Sequence, residues 1–227
     1  MRVDGVRCSA PVWVRWDGTT LWLVGSGASP VGEDHVRVRV DVGPGVTVAV
    51  RSVAATVVYA ARGAGTRWET ELRVAEGAVV DWRPEPVIIT ERARHQAVTT
   101  VRAEPGAEVT LDEVLVLGRA AEAAGTLCST LAVDVADAPV LRTSIDTSLP
   151  GWSGPAGVGG APVVASRLHL GGSDTPVAAD PTTSATVLEP APGCRLAVAT
   201  AADVGDARRQ MHGVLPACMA ESDLASF

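Results

Sequence analysis

The stretch that decides the fold is Val36-Arg37-Val38-Arg39-Val40-Asp41-Val42-Gly43-Pro44-Gly45-Val46, in which apolar and charged residues alternate. Successive side chains of a β-strand point to opposite faces, so this segment has one valine face and one charged face. Gly43-Pro44-Gly45 interrupts the alternation, which then resumes with Val46, Val48 and Val50. Two alternating runs on either side of such a turn predict a β-hairpin.

The same arrangement recurs twice further along the chain, at Leu72–Val80 and at Val101–Val109. The turn glycines at positions 45, 77 and 106 are 32 and 29 residues apart. A period near 30 residues predicts an all-β fold, a layered β-helix-like stack of hairpins. The alternative is an all-β domain that simply reuses Pro-Gly turns. Because no linker interrupts the β pattern, we expect a single domain over residues 1–227.

One or two short helices are expected, mainly near the C-terminus. Between Asp203 and Leu215, the side chains of Met211, Val214 and Leu215 form an apolar stripe at helical spacing. Either Asp203 or Asp206 is suited to cap the N-terminus, and Pro216 is suited to end the helix. An amphipathic stripe of this kind predicts docking on the parent domain.

Composition excludes several classes of function. All 19 basic residues are arginines, which excludes a Schiff-base lysine and a phosphate-loop lysine. The net charge of -7 and the lack of a basic run argue against nucleic-acid binding. No apolar run of membrane-spanning length and no apolar signal core are present, and the four cysteines are widely spaced. A cytoplasmic protein is therefore expected.

A second informative stretch is Asp81-Trp82-Arg83-Pro84-Glu85-Pro86-Val87-Ile88-Ile89. Each proline fixes its own φ and pushes the preceding residue towards extended geometry, so Glu85 is held between two rigid neighbours. The apolar run that follows predicts a buried strand. If the strand continued straight, Glu85, Glu91 and His95 would share a face. Glu91 and His95 would then be about 13 Å apart at ~3.3 Å per residue, so they could line a polar passage but not chelate one ion.

Three motifs together resemble the urease accessory protein family called UreD, or UreH in some bacteria, in its actinobacterial form. The central motif supplies Trp82, Pro84 and Glu85, and the Glu113 strand is followed by Gly118-Arg119. Upstream, Ala54-Ala55-Thr56 precedes Tyr59. The resemblance covers about positions 20 to 215. The chain departs from the common pattern at Val57, where many members have Lys, and at Ala120–Gly125, where many have Gly-Glu.

The resemblance implies a scaffold for urease maturation and no enzymatic activity. Members of that family bind the urease apoenzyme and a helical accessory protein of the UreF type. That protein in turn holds a nickel-carrying GTPase of the UreG type. The family fold is layered β-structure with two helices, and nickel is thought to cross an internal water-filled tunnel. No cofactor is expected to be bound permanently, and nickel would be bound only transiently.

The site hypotheses follow from these motifs. Glu85, Glu91 and His95 are weak candidates for lining a metal passage, and no metal ligand set is assigned. Glu85 is expected to face the interior, with Arg119 as its partner if the pair is structural. Arg208 and Arg209 are candidates for partner binding, because Arg is favoured at interfaces. The alternative function is a freestanding β-solenoid binding module for carbohydrate or protein.

Overall fold

The computed structural model describes residues 5–60, 63–172 and 184–215. Fifteen strands and one helix lie in these ranges. The elements are β1 (Val12–Trp16), β2 (Thr20–Gly25), β3 (His35–Val42), β4 (Thr47–Ser52), β5 (Thr56–Val58), β6 (Thr66–Val74), β7 (Val79–Trp82), β8 (Val87–Ile89), β9 (Arg94–Ala103), β10 (Glu108–Leu117), β11 (Thr126–Val135), β12 (Ala138–Asp146), β13 (Val163–Leu170), β14 (Ala185–Ala191), β15 (Cys194–Ala201) and α1 (Val204–Val214).

The strands form two sheets, and their parallel centres confirm the layered β-helix-like fold. The large sheet has the order β1-β2-β4-β7-β10-β13-β15-β14, with β5 and β8 alongside. The small sheet has the order β12-β11-β9-β6-β3. Within the large sheet β2, β4, β7 and β10 run parallel, as do β3, β6, β9 and β11 in the small sheet. The sequence period of about 30 residues is therefore one coil of the stack.

The prediction that the Gly-Pro-Gly turn closes a hairpin is wrong. β3 belongs to the small sheet and β4 to the large one, so the turn carries the chain from one sheet to the other. Gly45, Gly77 and Gly106 occupy the corner with φ of 66°, 66° and 78°. The Gly45 N–H donates to the Glu76 carbonyl at 3.1 Å, which stacks one corner on the next. A hairpin turn and a corner between two sheets both join alternating strands through a tight turn. The sequence pattern alone therefore could not distinguish a hairpin from a coil of the stack.

The main core fills the space between the two sheets. Its fully buried members include Val50 and Val80 from the large sheet, and Leu72 and Val101 from the small sheet. A second apolar layer lies on the outer face of the large sheet, where α1 packs on alanines and valines of β10, β13 and β15.

The helix confirms its sequence prediction. The Asp203 carboxylate, not that of Asp206, caps it by accepting from the Asp206 N–H. Met211, Val214 and Leu215 are buried against the large sheet. The predicted stop at Pro216 lies outside the described residues, and so do Cys218 and most of the loop that follows Gly171. Cys8, Cys128 and Cys194 carry free thiols. No helix in the described ranges is long and apolar enough to cross a membrane.

Candidate functional site

The central motif joins the core to the outer face of the large sheet. Trp82 points inwards and is 5% exposed, whereas Asp81 points outwards and is completely buried. The Asp81 carboxylate accepts from Arg51 Nη2 at 2.7 Å and from Arg83 Nε at 2.7 Å. Arg51 also donates to the Asp81 carbonyl, so this ion triad fastens β4 to β7. These residues of the motif are therefore structural.

Glu85 lies at the end of this motif, on the rim of an internal cavity. Its backbone N–H donates to Ser52 Oγ at 2.8 Å. Its carboxylate accepts from Arg208 Nη2 of α1 at 2.9 Å, and the two side chains are 42% and 49% exposed. The expectation that Glu85 pairs with Arg119 is wrong, because Arg208 of α1 binds Glu85 and Arg119 binds Glu122. Pro84 and Glu85 still line the cavity.

Glu91 and His95 do not continue the Glu85 face, which corrects the straight-strand hypothesis. The chain turns after β8, with Arg92 at φ 61°, and enters the small sheet at β9. Glu91 is exposed in this turn. His95 is 6% exposed, and its Nδ1 lies 2.7 Å from Thr66 Oγ1. Burial lowers the pKa of His95 to about 4, so the ring is neutral at pH 7 and able to act as a metal ligand.

The Gly118-Arg119 motif forms a tight corner after β10. Gly118 has φ 88°, and a Cβ there would lie 2.5 Å from the Glu122 carbonyl oxygen. Arg119 Nε donates to the Glu122 carboxylate at 2.7 Å. Hydrogen bonds and the charge of Arg119 lower the pKa of Glu122 to about 2. Arg119 and Glu122 are therefore each other's ion-pair partners, and neither side chain lines the internal cavity beside Glu85.

The first cavity has a volume of about 340 Å³ and lies between the two sheets. The small sheet contributes Trp68, His95, Ala97 and Thr99, and the large sheet contributes Trp82, Leu111 and Glu113. Its rim is formed by residues 25–29 and 53–57, including the Ala54-Ala55-Thr56 motif and Val57. The Ala54-Ala55-Thr56 motif and the Pro84-Glu85 part of the central motif therefore meet at this cavity.

The second cavity has a volume of about 300 Å³ and continues the interior towards the β12 side. Its polar wall is made largely of hydroxyl groups, from Ser129, Thr143, Ser144, Ser166 and Thr200. The turns at 147–160 contribute Trp152, whose buried Nε1 has no hydrogen-bond partner among the described residues. The rest of the wall is apolar, so water has hydrogen-bonding partners in this cavity at the hydroxyl groups and at Trp152 Nε1.

Glu113 belongs to the lining of both cavities. Ser129 Oγ donates to Glu113 Oε1 at 2.6 Å. Burial raises the pKa of Glu113, and the Ser129 hydrogen bond opposes that rise. Sequence reasoning cited this residue only as part of a motif. The alternation of side chains along β10 could have identified it. Val109, Leu111, Glu113 and Leu115 occupy every second position and so share one face of the strand, and the other three are buried core residues.

The structure brings His95 and Glu113 to one interior and leaves Glu85 at its rim. Glu91 and Arg119 lie elsewhere. Arg208 is engaged with Glu85, and Arg209 is 73% exposed with Asp206 Oδ1 at 3.4 Å. Within residues 5–60, 63–172 and 184–215, no three His, Cys, Asp or Glu side chains are grouped to hold a metal ion.

Replacing Glu85 by alanine is expected to lower the free energy of unfolding by less than about 1 kcal/mol, because its ion pair is half-exposed. Urea unfolding measures the change. Arg208→Ala is the matched variant, and the double variant should cost no more than either single one. A loss of several kcal/mol would instead restore the buried-pair hypothesis.

Comparison with known proteins identifies the family of the chain. The model of the UreD urease accessory protein family matches residues 9–224. The chain is 38% identical over 168 residues to urease accessory protein UreD of Frankia alni, covering 66% of this chain and 56% of that protein. It is 32% identical to UreD of Parafrankia sp., covering 99% of this chain and 79% of that protein. It is also 32% identical to UreD of Streptomyces coelicolor, covering 93% and 96%. The chain thus spans about half the length of the Frankia alni protein and nearly all of the Streptomyces one. The chain belongs to the UreD urease accessory protein family.

Proposed function

We propose that the chain is a non-catalytic urease maturation factor in the cytoplasm. It binds the urease apoenzyme together with a helical accessory protein of the UreF type and a nickel-carrying GTPase of the UreG type. Its own contribution is to support nickel delivery to the urease active site. Membership of the UreD family is the observation that carries the accessory role.

The interior supports a passage for nickel. Two cavities between the sheets both have Glu113 in their lining, and in this proposal they join into one route from the rim at residues 53–57 towards the β12 side. Neutral His95 and the Glu113 carboxyl offer nitrogen and oxygen donors, and imidazole suits nickel. Nickel is the cargo of this route.

The interior donors suit transit better than storage. Conduction requires binding that is favourable enough for entry and weak enough for exit. Glu113 offers a single carboxyl group, which already accepts a hydrogen bond from Ser129, and further hydroxyl groups belong to the lining of the second cavity. An ion held by one carboxylate and water exchanges readily.

The helix offers the contact surface for an accessory partner. Arg209 is the more available of the two arginines, since Arg208 is held by Glu85. A partner that drew Arg208 away from Glu85 would disturb only a half-exposed ion pair. We therefore propose that partner binding at α1 and the state of the cavity rim are linked.

Ala97→Phe tests the passage, because Ala97 lines the first cavity and an aromatic ring there occupies the route. Urease activity in cells that express the urease genes with this chain is expected to fall below half of the wild-type value. Val98→Phe is the matched control, since alternation puts Val98 on the outer face of the same strand. Both variants should be soluble and should co-purify with the partners.

Two results would contradict the proposal at different levels. Full activation with Ala97→Phe, with the protein folded, would remove the passage and leave the accessory role. Full urease activation in cells that lack the chain altogether would remove the accessory role itself.

A further inference from the structure

On the side of β3, the large sheet extends further than the small sheet. Beyond β4 the large sheet continues with β2 and then β1, whereas the small sheet ends at β3 within the described residues. The chain enters β3 from β2 and leaves it to β4, so β3 lies at a level between those two neighbouring strands. Strands in a sheet are about 4.8 Å apart, so the large sheet overhangs the small one by roughly 5–10 Å. The overhang leaves a strand-shaped space beside β3.

The backbone of β3 presents one open side to this space. The carbonyl groups of Asp34 and Val42 accept from the N–H groups of Arg67 and Ala75, at 2.8 and 3.0 Å. Even-numbered residues of β3 therefore direct their amides towards β6. Since both backbone groups of a strand residue point to the same side, Arg37, Arg39 and Asp41 direct theirs away from the sheet.

The floor of the space is apolar. Val14 and Trp16 of β1 and Leu21 of β2 pack against the core on the inner face of the overhang, and all three are only partly buried. On β3, Val38 and Val40 are also partly buried, whereas Val36 and Val42 at either end are buried. The uncovered apolar surface is thus concentrated at the middle of the edge.

We propose that this edge binds an extended segment of a partner protein by strand addition to the small sheet. Main-chain hydrogen bonds to β3 would supply affinity, and alternate side chains would supply specificity. The inward side chains are apolar, because they meet Val14, Trp16 and Leu21. The outward ones are acidic, because they would meet Arg37 and Arg39, which are 72% and 51% exposed on the outer face. These arginines donate to Glu69 and Asp41 in surface ion pairs, which are weak enough for a further carboxylate to join or replace. The inference does not depend on nickel delivery.

A second copy of the chain does not fit this edge. Antiparallel pairing of β3 with its own copy would place the large sheets of both copies on the same side of the new sheet. Each large sheet extends beyond β3 by β1 and at least part of β2, so these strands of the two copies would occupy the same volume. The space accepts one strand or one hairpin, which favours a partner segment.

The test uses an acetylated and amidated octapeptide that alternates glutamate and valine. Its control contains the same residues in two blocks. Binding is measured by titration calorimetry, and amide exchange is followed residue by residue. The alternating peptide is expected to bind and to slow exchange of the Arg37, Arg39 and Asp41 amides, whereas the block peptide is not.

Arg39→Pro supplies the decisive variant, since it removes an N–H that points away from β6 and is tolerated on an edge strand. Arg39→Ala is its control, which loses the charge but keeps the N–H. We expect Arg39→Pro to weaken peptide binding by at least about tenfold and Arg39→Ala by much less. Equal binding by Arg39→Pro, or no binding by the folded wild-type chain, would overturn the proposal. A dimer in sedimentation that Arg39→Pro converts to a monomer would overturn it too, by placing a second copy at the edge.

Discussion

Replacing Asp81 by alanine is expected to lower the free energy of unfolding by about 3–5 kcal/mol, the cost of removing one partner from a buried ion pair. Asp81 is completely buried and accepts from both Arg51 and Arg83, whose side chains are 15% and 17% exposed. Without the carboxylate, two guanidinium groups are left close together on adjacent coils. Chemical denaturation with a structural probe measures the loss.

Asp41→Ala is the matched control for this prediction. Asp41 also accepts from an arginine, Arg39 at 2.9 Å, but its side chain is 56% exposed. Its loss should cost less than about 1 kcal/mol. Similar effects at positions 41 and 81 would show that the buried triad adds no more than a surface pair.

Much of the fold could be predicted from alternation and period. The alternation from Val36 to Val42 predicts a strand with one buried face, and the spacing of the glycines at 45, 77 and 106 indicates the number of residues in one coil. The choice between hairpin and coil depends on which strand lies beside β3. That strand is β6, about 30 residues later, and no local pattern reports it. The chain does contain a hairpin between β11 and β12, where Ala136 and Asp137 have φ of 49° and 62°. Two consecutive left-handed residues of this kind are typical of tight hairpin turns.

The site was predicted less well, for a related reason. Glu85 drew attention because prolines flank it, but a rigid backbone does not fix which way a side chain is paired. Its partner Arg208 is 123 residues away, on a helix that packs against the opposite face of the large sheet from the core. Glu113 lies in a strand with no distinctive motif of its own. Only its position, two residues from Leu111 and from Leu115, indicates that its side chain shares their inward face. The hypothesis of a polar passage stays a prediction, now with Glu113 and His95 as its interior residues.

Val57 illustrates what the motif comparison adds to the geometry. It follows Ala54-Ala55-Thr56 in the lining of the first cavity, at a position where the sequence departs from the family pattern. Its side chain is apolar, and the carboxylate of Glu85 in the same lining is paired with Arg208 from α1. We infer that in this chain the rim cation comes from the helix.

Glu113→Gln is expected to reduce urease activation by at least about tenfold, which corresponds to ~1.4 kcal/mol on the barrier to crossing. Glu113 is the acidic group that lines both cavities, so an ion moving between them passes its carboxyl group. Glutamine keeps the size and still accepts from Ser129 Oγ, but it cannot carry the negative charge that favours a divalent cation. Urease activity per molecule of assembled complex, measured over a range of nickel concentrations, reports the change.

The same variant should not be less stable at neutral pH, which separates transport from folding. Burial raises the pKa of Glu113, so the folded protein holds this proton more tightly than the unfolded chain. The stability linked to that proton is present at low pH and is lost as pH rises through the folded pKa. Glutamine removes the cost of ionising a buried group, so unfolding above that pKa should require as much denaturant as in the wild-type chain, or more. Glu108→Gln, the same change on the outer face of β10, should leave activation intact. Full activation by a folded Glu113→Gln protein would exclude Glu113 from the route.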